Sequence, residues 1–203
     1  MKISIINGSH RHNAQSAKVA GFLAGQLEQL RLADEIWRFD LTDNPLPLWD
    51  EGIWSGDAKW QQLLTPLSAQ LASSDGFIII APEWHGMAPS GLKNFLLLWG
   101  NNELAHKPAL IVGVSSSVGG TYPVAELRMN SSKNNRLCYI PEHLIIRNVE
   151  QVLNESGEND TEADTYYRER SAFALGLLEQ YAQALRPVRA AEGTFNAKFK
   201  NGM

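Results

Sequence analysis

Cysteine is nearly missing from this 203-residue chain. Cys138 stands alone, which excludes a disulfide framework and a zinc set built on cysteines. Long apolar runs are missing too: nothing approaches the roughly 20 residues that a membrane-spanning helix needs. There is no long basic run, and 18 Lys and Arg against 22 Asp and Glu give a formal charge of -4. That balance argues against a general nucleic-acid binder. No charged-then-apolar leader precedes the first apolar stretch, and with the lone cysteine this predicts a cytoplasmic protein. The chain has no internal repeat, and no His/Asp/Glu spacing of the kind that holds a metal. What remains is ordinary for a globular protein, 44% hydrophobic and 20% charged, and long enough for one well-buried domain. That domain is expected over residues 1–187, with a C-terminal tail of no clear periodicity over 188–203, either mobile or wrapped on a neighbour.

The chain is organised around its first sixteen residues. An apolar run from Lys2 to Ile6 breaks at Gly8 into a small, polar, cationic loop, and a helical pattern follows from Ala14 to about Ala33. A buried strand that delivers a loop to a helix N-terminus presents backbone N–H groups and the positive end of a helix dipole. Ser9 and Ser16 add hydroxyls, and Arg11 adds a guanidinium suited to bidentate contact with phosphate. An ordinary strand-to-helix turn with a solvated arginine is the alternative that this loop alone leaves open. Two better-known phosphate loops are absent. Nothing after Gly8 supplies the second glycine, Lys and Ser/Thr of a P-loop, nor the three spaced glycines of a dinucleotide fingerprint. A site for one terminal phosphate remains, which points to FMN before NAD.

Further strands are predicted at Asp34–Leu41, Phe77–Ala81, Ala109–Val114 and Leu144–Ile146, the third and fourth as continuous apolar runs suited to central parallel strands. Helical patterns run over Trp60–Ala72, from Pro89 or Ser90 through Trp99, around Val124–Asn130, and over Tyr166–Leu185, where Pro187 stops the last. Asn154–Asp164 is acidic and polar and reads as a surface connection. Asp43 to Trp54 carries two prolines and two tryptophans; it either lines a substrate mouth, covers a partner subunit, or packs on its own domain. Strands alternating with helices imply a parallel sheet covered on both faces. With strand order 2-1-3-4-5, the polar loops Gly8–Ser16, Pro82–Ser90 and Ser115–Thr121 converge outside the C-terminal ends of adjacent strands. Ligands of open parallel sheets bind there, where the strand order reverses.

Pro82-Glu83-Trp84-His85-Gly86 followed by Ser90-Gly91-Leu92-Lys93-Asn94 resembles the NAD(P)H-dependent FMN reductase family, which includes quinone, azo-dye and chromate reductases. The resemblance covers Lys2 to about Arg128. It implies a flavodoxin-like, three-layer α/β/α sandwich on a five-stranded parallel sheet. It also implies FMN as cofactor, NADPH or NADH as electron donor, a small-molecule acceptor, and a homodimer or homotetramer. Ser9, Arg11 and Ser16 would bind the FMN phosphate. Pro82, Glu83, Trp84, His85 and Gly86 would run beside the isoalloxazine, with backbone N–H groups of Trp84 to Gly86 within reach of its N5, O4 and edge. Ser115, Gly119 and Gly120 would flank the pyrimidine side.

Two positions depart from the family pattern. Ala14 stands where a serine is common, and Trp84 replaces the usual tyrosine. Glu83 is assigned to structure or subunit contact, since hydride transfer to flavin needs no general base. Lys93 and Asn94 are expected to organise the loop or an interface. The side of the following helix that carries Leu92, Phe95, Leu96 and Trp99 is either a subunit contact or domain core. His10, His12 and His106 are expected at the surface. The competing reading is a flavin-binding electron carrier or redox sensor with no pyridine-nucleotide substrate of its own; a flavin-free binding module is the third.

Overall fold

A computed structural model of the chain describes residues 1–155 and 157–202. β1 (Lys2–Asn7) leads through the Gly8 loop into α1 (Gln15–Gln29), and β2 (Glu35–Asp40) follows. Then come a short α2 (Gly52–Ser55), α3 (Ala58–Ser73), β3 (Gly76–Pro82), α4 (Ser90–Leu97) and β4 (Pro108–Val114). α5 (Thr121–Asn130), β5 (Cys138–Ile146), α6 (Thr161–Ala184) and α7 (Arg186–Ala190) complete the order. The strands form one parallel sheet in the order β2-β1-β3-β4-β5. This is the predicted flavodoxin-like arrangement.

The alternation of strand side chains sorts the core into two layers. Ile3, Ile5, Ile78, Ile80, Leu110 and Val112 face α1 and α6, against Val19, Leu23, Leu175 and Leu178. Ile6, Phe77, Ile79 and Ile111 face α3, α4 and α5, against Trp60, Leu71, Leu92, Phe95 and Leu127. Every residue of β1, β3 and β4 is buried, and each large apolar side chain so removed from water contributes about 1.5–3 kcal/mol. Leu92, Phe95 and Leu96 of α4, and Trp99 just after it, all belong to this core, so of the two readings of that face the domain-core one holds. The exposed apolar residue of α4 is Leu97.

Among the boundaries that differ from those predicted, three have a local physical reason. β5 begins at Cys138, six residues before the apolar triplet that signals it. Its first half is an outer-strand segment containing Pro141, which lacks a ladder donor, and the register against β4 shifts between Ala109 and Ile111. α6 begins at Thr161, because Asp160 caps it through the Ala163 N–H (3.2 Å) and Glu162 and Asp164 suit the positive end of its dipole. Pro187 does not terminate structure: it sits in the first turn of α7, where a missing N–H costs nothing.

The C-terminal tail lies against the chain's own N-terminal strand edge. Arg186 and Arg189 pair with Asp75 ahead of β3 (2.9 and 3.4 Å). Phe195 meets the His106 ring, and Arg136 donates to the carbonyl of Phe199. Among the described residues no helix is long and apolar enough to cross a membrane.

Candidate active site

Gly8 ends β1 where no side chain fits. A Cβ there would lie 2.6 Å from the Ile80 carbonyl oxygen and 2.8 Å from Leu92 Cδ2, so the chain crosses directly over β3 and α4. The Gly8 N–H donates to Ile80 (2.9 Å). Just before it, buried Asn7 donates to Asp40 (2.7 Å) and accepts from the Ser9 N–H (3.3 Å), and Ser9 Oγ accepts from the Arg11 N–H (3.3 Å). The loop is thus built from its own polar residues, with Arg11 exposed and its guanidinium unpaired among the described residues.

α1 opens without a cap. Ala14, extended at φ -71 and ψ 137, offers no side-chain acceptor, and the first turn holds no acidic residue. Ser16 Oγ, in a residue only 2% exposed, has no partner; nor have the buried Gln15 Oε1 and His10 Nε2. An unmade buried hydrogen bond is costly, so the two orphaned atoms of Gln15 and Ser16, both lining the cleft at an uncapped helix N-terminus, describe a seat for a polar ligand. The chemistry matches a phosphate ester: a hydroxyl donor, free N–H groups and a guanidinium, with Gln15 as an acceptor for a nearby hydroxyl.

The seat opens into a cleft of about 170 Å³ at the C-terminal strand edge. The first loop contributes Ser9, Arg11 and Ser16, β3 contributes Pro82, Glu83 and Trp84, and β4 contributes Val114 and Ser116. A fourth wall, Val149 and Glu150 after β5, was not expected. It is held by Lys18, whose ammonium donates to the carbonyls of Val149 (2.6 Å) and Val152 (2.8 Å) and to Asn154 Oδ1 (2.7 Å). Burial lowers the Lys18 pKa, partly offset by Glu150 and Asp164. A larger cavity of about 260 Å³ lies at the opposite strand edge among Met1, Arg31, Asp34, Glu179 and Arg186. Within it the Met1 ammonium pairs with Asp34, and Arg186 is engaged by Asp75 outside the lining. No strand C-terminus delivers a loop to it, so the smaller cleft is the candidate site.

Pro82–Gly86 takes a definite shape. Trp84 and Met87 exchange both backbone hydrogen bonds (3.0 and 2.9 Å), and His85 and Gly86 between them have φ of 50 and 73. Two positive φ values make a type I′ turn, for which glycine is well suited at the second place. The Trp84 N–H is therefore committed to Met87, leaving those of His85 and Gly86 free among the described residues. Trp84 stacks edge-on against His10 (4.5 Å), so His10 bridges the first and third strand loops and is not a surface residue. His106, against Phe195, is likewise half-buried, while His12 is exposed and paired with Asp43 (2.7 Å).

Lys93 and Asn94 brace this hairpin and the tryptophan-rich segment. Glu126 on α5 accepts from the Ala88 N–H (2.7 Å) and from Lys93 (2.9 Å). Burial raises the Glu126 pKa, but the Lys93 hydrogen bond, the Ala88 N–H and the Lys93 charge together hold it below the ordinary carboxylate range. Asn94 accepts from the Trp49 N–H and donates to the Pro47 carbonyl (both 2.8 Å), pinning the 43–55 segment beside the site. Within it Asp50 accepts from Trp60 Nε1 (2.7 Å) and the Gly52 N–H (2.8 Å), and both bonds lower its pKa. Trp54 and Leu48 remain exposed.

Ser115, Gly119 and Gly120 belong to the loop after β4, which lines the cleft through Ser116 and not through these three residues. Ser115 Oγ accepts from the Ser117 N–H (3.1 Å), and Gly120, at φ 98, precedes α5 with its N–H on Glu83 Oε2 (2.6 Å). The cleft and the strand loops that meet at it lie at the topological switch point of the sheet, where open parallel sheets bind their ligands. The family model described as NADPH-dependent FMN reductase matches residues 1–151. The chain belongs to this FMN reductase family.

A 2-hydroxy-1,4-benzoquinone reductase of Burkholderia sp is 30% identical over 126 residues, 60% of this chain and 64% of that protein. An NADPH azoreductase of Bacillus sp. (strain OY1-2) is 29% identical over 122 residues, 59% of this chain and 62% of that protein. The chain thus matches less than two thirds of the length of these curated relatives. Among solved structures, the flavoenzyme NAD(P)H:(acceptor) oxidoreductase FerB from Paracoccus denitrificans shares the fold at a TM-score of 0.70. It is 20% identical, over 89% of this chain and 98% of that one. Among the described residues no group of three His, Cys, Asp or Glu gathers as a metal set.

Proposed function

We propose that this member of the FMN reductase family is an FMN-dependent oxidoreductase that passes two electrons from NADPH or NADH to a quinone, an azo compound or a similar small acceptor. The observation that carries the reading is the orphaned, buried Ser16 Oγ at the uncapped start of α1, beside the unpaired Arg11. That seat fits a single phosphate ester and lacks the glycines for a pyrophosphate. Ser9, Arg11 and Ser16 hold the phosphate; Pro82 to Gly86 run beside the ring; Ser115, Gly119 and Gly120 receive its pyrimidine side. When bound, FMN supplies the two-electron chemistry, which the protein itself does not perform.

The protein's part is to place both substrates in turn on one exposed face, with no general base required. Trp84 and the His85–Gly86 turn limit that face, and the exposed Tyr122 ring lies beside Gly86, where an added Cβ would come within 3.8 Å of it. The curated relatives are named as reductases, which favours the enzyme over the electron carrier. A cytoplasmic compartment and a homodimer or homotetramer complete the proposal; exposed Leu97, Tyr122 and Met129 on α4 and α5 support contact between copies.

Two experiments test this function. Offered excess FMN and FAD together, the protein should retain FMN after desalting; preferential retention of FAD at unit stoichiometry would defeat the one-phosphate site. Stopped-flow mixing with NADPH or NADH should bleach the bound flavin with no other protein present. Steady-state plots against a quinone should then give parallel lines. Failure of both nucleotides to reduce the flavin at turnover rates would return the carrier reading.

A further inference from the structure

The Ser115–Gly120 loop is held from two strand ends that are far from it in sequence. Glu83, the first residue after β3, accepts from the Gly120 N–H through Oε2 at 2.6 Å, while its own N–H donates to the Val114 carbonyl at 2.9 Å. The packing is close enough that a Cβ on Gly119 would lie 2.6 Å from Glu83 Oε1, and one on Gly113 would lie 2.4 Å from the Gly120 carbonyl oxygen. From the far side Arg147, the first residue after β5, donates through Nε to the Gly119 carbonyl (3.0 Å) and through Nη2 to Thr121 Oγ1 (3.3 Å). Its backbone N–H donates to the Tyr167 hydroxyl (3.1 Å).

A carboxylate on the N-terminal side of α5 and a guanidinium on the preceding carbonyl therefore grip the two halves of one peptide turn. Both bonds are charge-assisted, the stronger class. The N–H groups of Val118 and Gly119 are left without partners among the described residues. Such free N–H donors suit a ligand end rich in carbonyl acceptors.

We propose that Glu83 and Arg147 are positioning residues, which act from the ends of β3 and β5 to fix the Ser115–Gly120 loop in the shape that receives the polar, carbonyl-bearing end of the flavin. This rests on the FMN reading above. It gives the Glu83 carboxylate a task other than proton transfer, and it adds Arg147, which is not among the residues the sequence motifs single out.

Residues acting at the ring end affect every flavin, whereas residues acting at the phosphate affect only FMN. The experiment is titration of FMN and of riboflavin into Glu83→Ala, Glu83→Gln and Arg147→Ala, with the thermal midpoint of each apoprotein as control. Glu83→Ala and Arg147→Ala should weaken FMN and riboflavin by the same factor, roughly tenfold for one charge-assisted hydrogen bond. Glu83→Gln, which keeps an acceptor for the Gly120 N–H, should recover most of the affinity. If Glu83→Ala does not fold, Arg147→Ala and Glu83→Gln decide by the same comparison. Unchanged affinities, loss confined to FMN, or a Glu83→Gln variant as weak as Glu83→Ala would each overturn the assignment. A wild-type protein that binds neither flavin would instead defeat the FMN reading itself.

Discussion

Arg11 carries the strongest single expectation. The phosphate of FMN bears nearly two negative charges, and the site offers one unpaired guanidinium, an uncapped α1 and the Ser16 hydroxyl; Ala14 adds no side-chain donor. A charge-assisted hydrogen bond contributes about 1.5–3 kcal/mol, against roughly 0.3–1 kcal/mol for an exposed helix-dipole contact. Arg11→Ala should therefore weaken FMN binding by about tenfold to a hundredfold. Riboflavin, which has no phosphate, should bind nearly as before. Arg11→Lys should recover only part of the loss, because an ammonium cannot present the planar fork. Equal weakening of both flavins in a titration would place Arg11 at the ring or in folding.

At the scale of elements, α4 is a brace with two arms. Through Asn94 it fixes residues 47–49, and through Lys93 and Glu126 it fixes Ala88 at the foot of the type I′ hairpin. Glu126→Ala strips the acceptor from the Ala88 N–H and should cost about 1–3 kcal/mol in urea unfolding. Glu126→Gln, which keeps that acceptor, should cost less than half as much, since the Lys93 side chain is 39% exposed and its ion pair partly screened. Equal losses would assign the effect to the ion pair and not to the backbone bond.

The same elements show what could be read from the chain alone. β1, β3 and β4 announce themselves because burial on both faces demands unbroken apolar runs, and the turn at His85-Gly86 follows a motif contiguous in sequence. The first half of β5 does not, because Pro141, Glu142 and His143 occupy an edge strand that tolerates them. The wall at Val149 and Glu150, and the grip of Glu83 and Arg147 on Gly119 and Gly120, join residues 28 to 134 positions apart. No local periodicity encodes such contacts, and the polar types that make them are equally at home on a solvated surface.

Across the whole molecule the two edges of the sheet do different work. The C-terminal edge carries the cleft and its unsatisfied donors. The N-terminal edge is tied shut through Asp75, which accepts from the Lys2 N–H (3.0 Å), from Arg186 Nε and Nη2 (3.0 and 2.9 Å) and from Arg189 (3.4 Å). Asp75 thereby links β1, β3 and the C-terminal helix α7. Burial raises its pKa, but the hydrogen bond to Arg186, the Lys2 N–H and the two arginine charges outweigh it, so the carboxyl titrates below its ordinary value. A carboxyl depressed in the folded state contributes stability that is fully present above its unfolded pKa, about 3.9, and is lost as pH falls through the lower folded value. The C-terminal segment should therefore loosen below about pH 4, seen as earlier proteolytic cleavage around Arg186–Arg189 by an acid-active protease.

At neutral pH Asp75→Asn should remove about 1 kcal/mol, because Arg186 is half-exposed and its attraction screened. For a chain of this size that is a fall of roughly 2–4 °C in thermal midpoint. FMN affinity should not change, since Asp75 lies at the strand edge opposite the cleft. An Asp75→Asn protein that keeps its midpoint, or one that loses flavin affinity along with it, would contradict this division between a stabilising edge and a binding edge.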